Sequence, residues 1–492
     1  MKRRDWQTFS ELHKLNKQQF ELDFVDVPVS GQDIRLFIDP YSIARHEEAW
    51  LKKSSEQIYD FFDQLLDLIK LNKRSDALRL LDGLHESNET RLGYSPANKG
   101  AGIGKKQSIE LYSALRSAKA LDSLKDIEEF NLMIPGIDRD KVSDMTTNII
   151  KLHLIEYTQI QCELYGIKTI PRPIKNLFDP VKFEWYNDFK NLPVDSSGKP
   201  VILVPKSIVR VIPSLNAEEY YQKYILEYLQ EELYSAGSSL GRLLKNDKRA
   251  RPAKTVITEE VTKVGQGEGK KSKKEYIYEF SLQNPEVLDD YETIKAEQAD
   301  PLSNIEIEAE NNARVQDYNV IIGKIKAILP GRETAGQYHD AMIGALNAIF
   351  YPLLTRPKKE APTDDGIKRI DISYINSAKY GFFSSLRNLK GIPATYVFVE
   401  CKNYWNDISN PEVDQLATRF GPRKSKIGFL VFRDVADRPK LIKRVRAIAS
   451  NEHGYILPFN DADIFKLLKL KLENKDQDID NFLEERFTEI VN

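Results

Sequence analysis

The sequence predicts a mixed α/β chain with a helix-rich α+β N-terminal part, a mixed middle part and a C-terminal α/β layer. Three observations carry that reading. The chain has 492 residues, which at roughly 100 to 200 residues per domain means several domains. Apolar residues recur at helical spacing in long segments and at period two in short β-branched runs. The last third then reads in a single order: helix, strands, helix, strand.

The N-terminal elements follow from these periods. From Glu21 to Ile38 apolar and polar residues alternate around Ser30-Gly31, which predicts a β-hairpin or two short strands. Ser54 to Leu71 places Ile58, Phe61, Phe62, Leu65, Leu66 and Ile69 on one helical face, and Ser75 to Leu84 continues the pattern. A loop carrying Gly93, Gly100, Gly102 and Gly104 leads to a helix over Gln107–Ser117. Val142–Tyr165 is helical and ends at Gly166 in the manner of a C-cap, so a first boundary is placed there and residues 1–166 form one domain.

Residues 167–300 form the middle domain. KPVILVPKSIVRVIP offers short apolar runs broken by Pro205 and Pro213, and Ala217–Ser235 is a tyrosine-rich helix. Thr255–Val264 and Lys274–Leu282 read as strands joined by the basic loop GQGEGKKSK. The acidic run Pro285–Glu310 predicts a solvated linker or an exposed helix, and the second boundary falls near Asp300. In residues 301–492, Ala309–Leu329 and Glu333–Leu354 are helical with Pro330-Gly331 between them. IKRIDISYIN and ATYVFVECKNY are strands separated by a short helix over Lys379–Leu389. Pro411–Phe420 is a helix, KIGFLVFRD a buried strand, Lys440–Ser450 a basic helix and YILPF a last strand.

Composition narrows the function classes. The chain is 41% hydrophobic, 10% aromatic and 30% charged, which suits a folded protein and neither a membrane bundle nor a disordered chain. The opening MKRRDWQTFSELHKL lacks the apolar core of a signal peptide and no run approaches a membrane span, so a cytoplasmic protein is expected. Two cysteines, Cys162 and Cys401, exclude a disulfide framework, and the six histidines form no zinc motif. The loop NKGAGIGKK departs from a phosphate-binding P-loop: Lys99 stands where the first glycine is needed and Lys106 replaces the Ser or Thr after Lys105. The net charge of -2, from 72 Lys and Arg against 74 Asp and Glu, argues weakly against a polyanion partner.

The sharpest chemistry lies in two strands. In an extended chain residues i and i+2 share a face, so Glu400 and Lys402 of YVFVECKNY project together while Cys401 points the other way. If the strand carrying Asp371 is its neighbour, two carboxylates and an ammonium share one sheet face. Carboxylates of this kind hold Mg²⁺, which polarises a phosphate and activates water, and a lysine beside them stabilises the developing charge. An acid-x-Lys triplet alone says little, because Asp188-Phe-Lys190, Glu268-Gly-Lys270 and Glu473-Asn-Lys475 satisfy it too. Only Glu400 is embedded among Val, Phe and Val, where a charge is hard to explain without a role.

This pattern resembles the active site of the PD-(D/E)xK restriction-endonuclease-like nucleases, in a Mrr-like variant, over about Ile328 to Phe459. The resemblance implies an αβββαβ core in the C-terminal domain and a Mg²⁺-dependent DNA endonuclease of bacterial restriction or anti-phage defence, with Mn²⁺ as a substitute ion. It implies Asp371, Glu400 and the carbonyl of Cys401 as metal ligands, Lys402 as the catalytic lysine and Gln415 as the glutamine of the following helix. His339 occupies the place of the glutamate on the first helix, with Asp340 beside it and Glu333 two turns earlier. The proline of the motif is replaced before Asp371 by Arg369-Ile370.

The local charge agrees with a DNA partner. From Pro357 to Arg446 there are 18 Lys and Arg against 10 Asp and Glu, and the excess gathers in RFGPRKSK and RPKLIKRVR. Arg419, Arg423, Lys424 and Lys426, with Lys271 and Lys273 on the middle-domain hairpin, are the expected phosphate contacts. A homo-oligomer or a partner protein of a defence system would supply a second site. A catalytically inactive nucleic-acid-binding or partner-binding subunit, or an RNA nuclease, remains the alternative reading.

Overall fold

The computed structural model describes residues 7–30, 33–46, 48–84, 87–93, 105–117, 127–212, 214–235, 272–297, 300–311, 317–363, 368–404, 410–422, 424–451 and 453–492. The expected strand Thr255–Val264 and the glycine loop at 100–104 lie outside these residues.

The helix expected from Ser54 spans Ala49–Lys70, and all six apolar residues that predict it are buried. Helices Arg74–Leu81, Lys105–Ser117, Ile127–Met133, Arg139–Ile149 and Lys151–Tyr165 follow. The last ends at Gly166 with φ 65, the left-handed turn that glycine adopts without a Cβ clash.

Of the hairpin or two short strands expected over Glu21–Ile38, one short strand forms and no hairpin does. Strand β1 (Phe37–Ile38) instead pairs with a strand far downstream, Phe37 opposite Arg210, and Phe24 makes a single bridge to Pro205. Every residue from Leu22 to Val29 is buried, so the alternation there separates no inner face from an outer one. Strands β2 (Ile170–Asp179) and β3 (Glu184–Leu192) make an antiparallel hairpin, and β4 (Val209–Arg210) is the partner of β1. Val201–Val204, one of the short apolar runs before Pro205, is wholly buried yet irregular.

Lys274–Leu282 is also not a strand but part of helix Lys273–Gln283. Ser272 and Glu275 form a capping box, each side chain taking the other's backbone N–H, and the alternating tyrosines that suggested a strand lie on a helix instead. The acidic run forms helices Pro285–Glu297 and Asn304–Asn311, with Val287, Tyr291 and Ile307 buried. One continuous apolar core runs from Phe9 to Ile307.

A second core surrounds a five-stranded sheet in the order β5 (Leu354–Thr363), β6 (Lys368–Asn376), β7 (Tyr396–Lys402), β8 (Ile427–Phe432), β9 (Tyr455–Asn460). The pairs β5-β6 and β6-β7 are antiparallel, and β7-β8 and β8-β9 are parallel. Helix Ala335–Phe350 precedes the sheet, helix Gly381–Asn388 lies between β6 and β7, and helices Asn410–Ala417 and Arg438–Ser450 make the parallel crossovers. Every residue of β8 is buried, as expected of a strand covered on both faces. Strand β5 has no clear signal in the sequence, because Pro357 and Pro362 interrupt it. It is an edge strand with a register shift between Thr355 and Lys358, where proline is tolerated. Helices Asp461–Leu472 and Asp476–Val491 complete the chain, and no described helix is long and apolar enough to cross a membrane.

Residues 17–23 join the two cores. Phe20 belongs to the second one and packs edge-on against Tyr318 at 4.7 Å. The Glu21 carboxylate accepts Lys324 Nζ at 2.8 Å, and its carbonyl accepts Asn347 Nδ2 at 2.8 Å. Lys17 Nζ donates to the Asp340 carbonyl at 3.0 Å, and Asp23 accepts Arg356 N–H at 2.9 Å. Helix Ala335–Phe350 is therefore held from the N-terminal side at Asp340 and Asn347. Phe20→Ala should cost about 3–5 kcal/mol of stability, the usual range for a buried Phe truncation. Urea unfolding checks this, and a loss below about 1 kcal/mol would mean that the segment merely rests on the second core.

Candidate functional site

The site lies where β6 and β7 stop pairing. Ile372 is the last ladder partner, opposite Val399. One step further the same register puts Asp371 opposite Glu400, and directly opposed residues share a sheet face. The backbone ladder is replaced there by a side chain: Asp371 Oδ2 accepts the Cys401 N–H at 3.0 Å.

Glu400 is buried. Lys402 Nζ donates to its Oε1 at 2.8 Å and to Gln415 Oε1 at 3.3 Å, while the Arg419 guanidinium donates to its Oε2. Burial pushes the Glu400 carboxyl above its ordinary range and the charge of Asp371 adds to that, with Lys402 and Arg419 opposing. From helix Ala335–Phe350, His339 Nε2 lies 3.3 Å from the Cys401 carbonyl oxygen and 3.8 Å from Asp371 Oδ2. The Cys401 thiol is buried, and burial holds its pKa well above the ordinary thiol value. It takes no part as a nucleophile in that state.

Six of the expected residues thus converge: Asp371, Glu400, the Cys401 carbonyl, Lys402, Gln415 and His339. Asp340 does not join them; it pairs with Lys359 at 3.0 Å. Glu333 is exposed.

The expected phosphate contacts are placed differently. Arg419 is buried against Glu400 and does not line a surface. Lys424 and Lys426 flank Ser425, whose hydroxyl donates to the Tyr396 carbonyl at the start of β7. Lys402 is six residues along that strand, about 20 Å at the usual rise, so this basic turn is at the other end of the sheet. Lys273 pairs with Glu218 and sits over the Tyr221 ring at 4.3 Å, in the N-terminal half. Arg423 and Lys271 lie outside the described residues. In the basic helix, Arg438 pairs with Glu489 at 3.1 Å and Arg446 donates to the Glu489 carbonyl at 2.8 Å, so the C-terminal helix takes up part of the excess.

Residues 14–216 match a family described as a domain of unknown function, DUF8370. The match covers the N-terminal part and ends well before His339, so it assigns no chemistry to the site. Comparison with curated proteins and with solved structures finds no match.

Two residues near the site escape a reading of the sequence. Asn403, next to Lys402, is buried and bonds through its side chain to the loop before helix Ala335–Phe350. Arg433, just past β8, is buried and donates to Asn403 Oδ1 at 2.8 Å. A charge directly following a wholly apolar strand is the signal that could have found Arg433.

Among the described residues, no group of three or more His, Cys, Asp or Glu side chains is arranged to hold a metal ion. The oxygen donors at the strand end are the two carboxylates and the Cys401 carbonyl, and these are the hard donors that Mg²⁺ takes.

The Glu400–Arg419 pair is deeply buried, with side-chain exposures of 1% and 7%. Arg419→Met should therefore destabilise the protein by about 3–5 kcal/mol, because it leaves buried charge short of a partner. Adding Glu400→Gln should restore a large part of that loss. Guanidinium unfolding of the two single variants and the double variant measures the coupling, and simple additivity would show that the pair is not an interacting unit.

Proposed function

We propose that this chain is a Mg²⁺-dependent nuclease that hydrolyses phosphodiester bonds in DNA, in the setting of bacterial restriction or anti-phage defence. The observation that carries the reading is the meeting of Asp371, Glu400 and Lys402 at one strand end, with Gln415 reaching Lys402 from the next helix. The element order supports it. Helix Ala335–Phe350, β5, β6, β7, helix Asn410–Ala417 and β8 run in the sequence of a restriction-endonuclease-like core, with helix Gly381–Asn388 as an addition.

Asp371, Glu400 and the Cys401 carbonyl would hold Mg²⁺, with Mn²⁺ as a substitute. When bound, the ion supplies polarisation of the phosphate and a water of lowered pKa. The protein's own residues do the rest. Two carboxylates and the cations Lys402 and Arg419 cancel, so a divalent ion brings an excess of two positive charges. A phosphodiester and a hydroxide balance that excess, which favours the reacting pair over either alone. Lys402, held between Glu400 and Gln415, offers its ammonium to the charge that develops on phosphorus-bound oxygen. The His339 Nε2–H on the Cys401 carbonyl fixes that carbonyl's direction. Cutting both strands needs two sites, so a homo-oligomer or a defence-system partner protein completes the proposal.

A specific observation favours a second reading, a catalytically inactive nucleic-acid-binding or partner-binding subunit: both Glu400 oxygens are already held by cations. An RNA nuclease would use the same chemistry. Supercoiled plasmid and a structured RNA, each with Mg²⁺, separate the three. The native protein should nick plasmid at least about 100-fold faster than Lys402→Ala or Asp371→Ala. Equal rates for all three proteins on both substrates sink the enzyme reading, and cleavage of RNA alone moves the substrate class.

A further inference from the structure

The loop before helix Ala335–Phe350 combines an exposed tip with a buried anchor. Leu329 is 73% exposed and Arg332 is exposed too. Pro330 fixes its own φ, and Gly331 stands at φ 141, which a residue with a Cβ adopts only under strain.

Asn403 holds this loop by four bonds. Its carbonyl accepts Gly331 N–H at 2.7 Å. Its side-chain NH₂ donates to the carbonyls of Leu329 at 3.2 Å and Gly331 at 2.9 Å, and to Thr334 Oγ1 at 2.9 Å.

Arg433 holds Asn403 in turn, and two more of its donors go to the approach to the same loop and one to Asp461. Nη1 bonds the Ile325 carbonyl at 2.9 Å and Asp461 at 3.1 Å, and Nη2 bonds the Ile328 carbonyl at 2.6 Å. The guanidinium lies 4.3 Å over the Tyr338 ring, whose hydroxyl donates to Asp461 at 2.8 Å.

Ordering backbone costs roughly 1–2 kcal/mol per residue, and burying a guanidinium costs more unless every donor is met. Here both are used to hold an exposed leucine still. Part of that expense is returned in the core, where Arg433 meets Asp461 and lies over the Tyr338 ring, but the bonds from Asn403 hold a loop whose Leu329 side chain covers little apolar surface. A contact made on binding explains the rest, because a rigid tip loses little freedom when a partner arrives.

Position identifies the partner. Asn403 directly follows Lys402, and Thr334 opens the helix that carries His339 one turn later, so the loop borders the carboxylates on the side of both elements. Any strand laid across Asp371 and Lys402 passes it. We propose that Leu329–Arg332 is a rigid rim that grips duplex DNA, with Arg332 on a backbone phosphate and Leu329 against sugar and base edges in the groove. Glu333 next to it is exposed as well, so the attraction is local to the guanidinium and not a property of the loop's net charge. This rests on the nuclease reading of the same site.

The test uses the full chain carrying Lys402→Ala, with a fixed concentration of Ca²⁺ to neutralise the carboxylates, and a fluorescent duplex of about 30 base pairs whose anisotropy is followed across a salt series. Arg332→Gln should weaken binding several-fold and reduce the slope of log K against log salt by about one, the share of a single phosphate contact. Leu329→Ser should weaken binding at an unchanged slope, because it removes an apolar contact. Circular dichroism and melting temperature check that each variant is folded, and since both side chains are exposed they should match the parent. If the parent binds and both variants superimpose on it, the rim is wrong and the nuclease reading survives. If the parent does not bind duplex DNA even at low salt, the DNA substrate itself falls and the rim with it.

Discussion

The site depends on one buried carboxylate. Glu400 stands buried in an apolar strand, and taking a carboxylate out of water costs several kcal/mol unless cations follow it. Two do. Lys402 comes from the same strand face two residues on, and Arg419 comes from beyond the end of the next helix. That requirement sets how helix Asn410–Ala417 lies on the sheet: Val413 and Leu416 are buried in the core, while Gln415 turns to Lys402 and Arg419 to Glu400 of β7. Asp371 adds a second negative charge opposite Glu400 and is relieved by the Cys401 N–H, at the point where the ladder would otherwise leave that donor unmatched.

The surrounding structure restrains the elements that meet there. Helix Ala335–Phe350 brings His339 to the Cys401 carbonyl, and it is itself pinned through Asp340 and Asn347 to Lys17 and Glu21. The region matched as a domain of unknown function therefore touches the helix that lines the site. A change in how residues 17–23 pack has a short mechanical path to His339. On the opposite flank, Arg433 and Asn403 tie the end of β7 to the start of the same helix.

Much of the second half was legible from its residues. Strands β7, β8 and β9 are dense in β-branched and aromatic side chains, and the helices between them show an apolar stripe, so burial alone dictates them. Strand β5 was not legible, since two prolines hide a strand that survives only because it is at the sheet edge. Lys273–Gln283 was misread because Tyr276, Tyr278 and Phe280 alternate like a strand, whereas a capping box and one buried face decide for a helix. Strand periodicity and the oddity of a buried charge single out Asp371, Glu400 and Lys402, whereas Gln415 follows from the family resemblance alone. Arg419 was assigned to the surface because it shares a basic run with Lys424 and Lys426, and a count of charge along the chain carries no information about which end of a sheet each residue reaches.

By itself the sequence determined the periodic elements, the shared face of Glu400 and Lys402, and the shift from an acidic stretch to a basic C-terminal part behind a near-zero net charge. These are local properties, set by side-chain spacing of two or 3.6 residues. Tertiary structure alone decided that Asp371 stands opposite Glu400, that Arg419 neutralises it, that Asn403 and Arg433 brace the loop beside it, and that residues 17–23 join the two cores. Each of those is a contact between residues distant in sequence, or a choice between faces, and it is settled by which arrangement buries the apolar surface while leaving no charge without a partner.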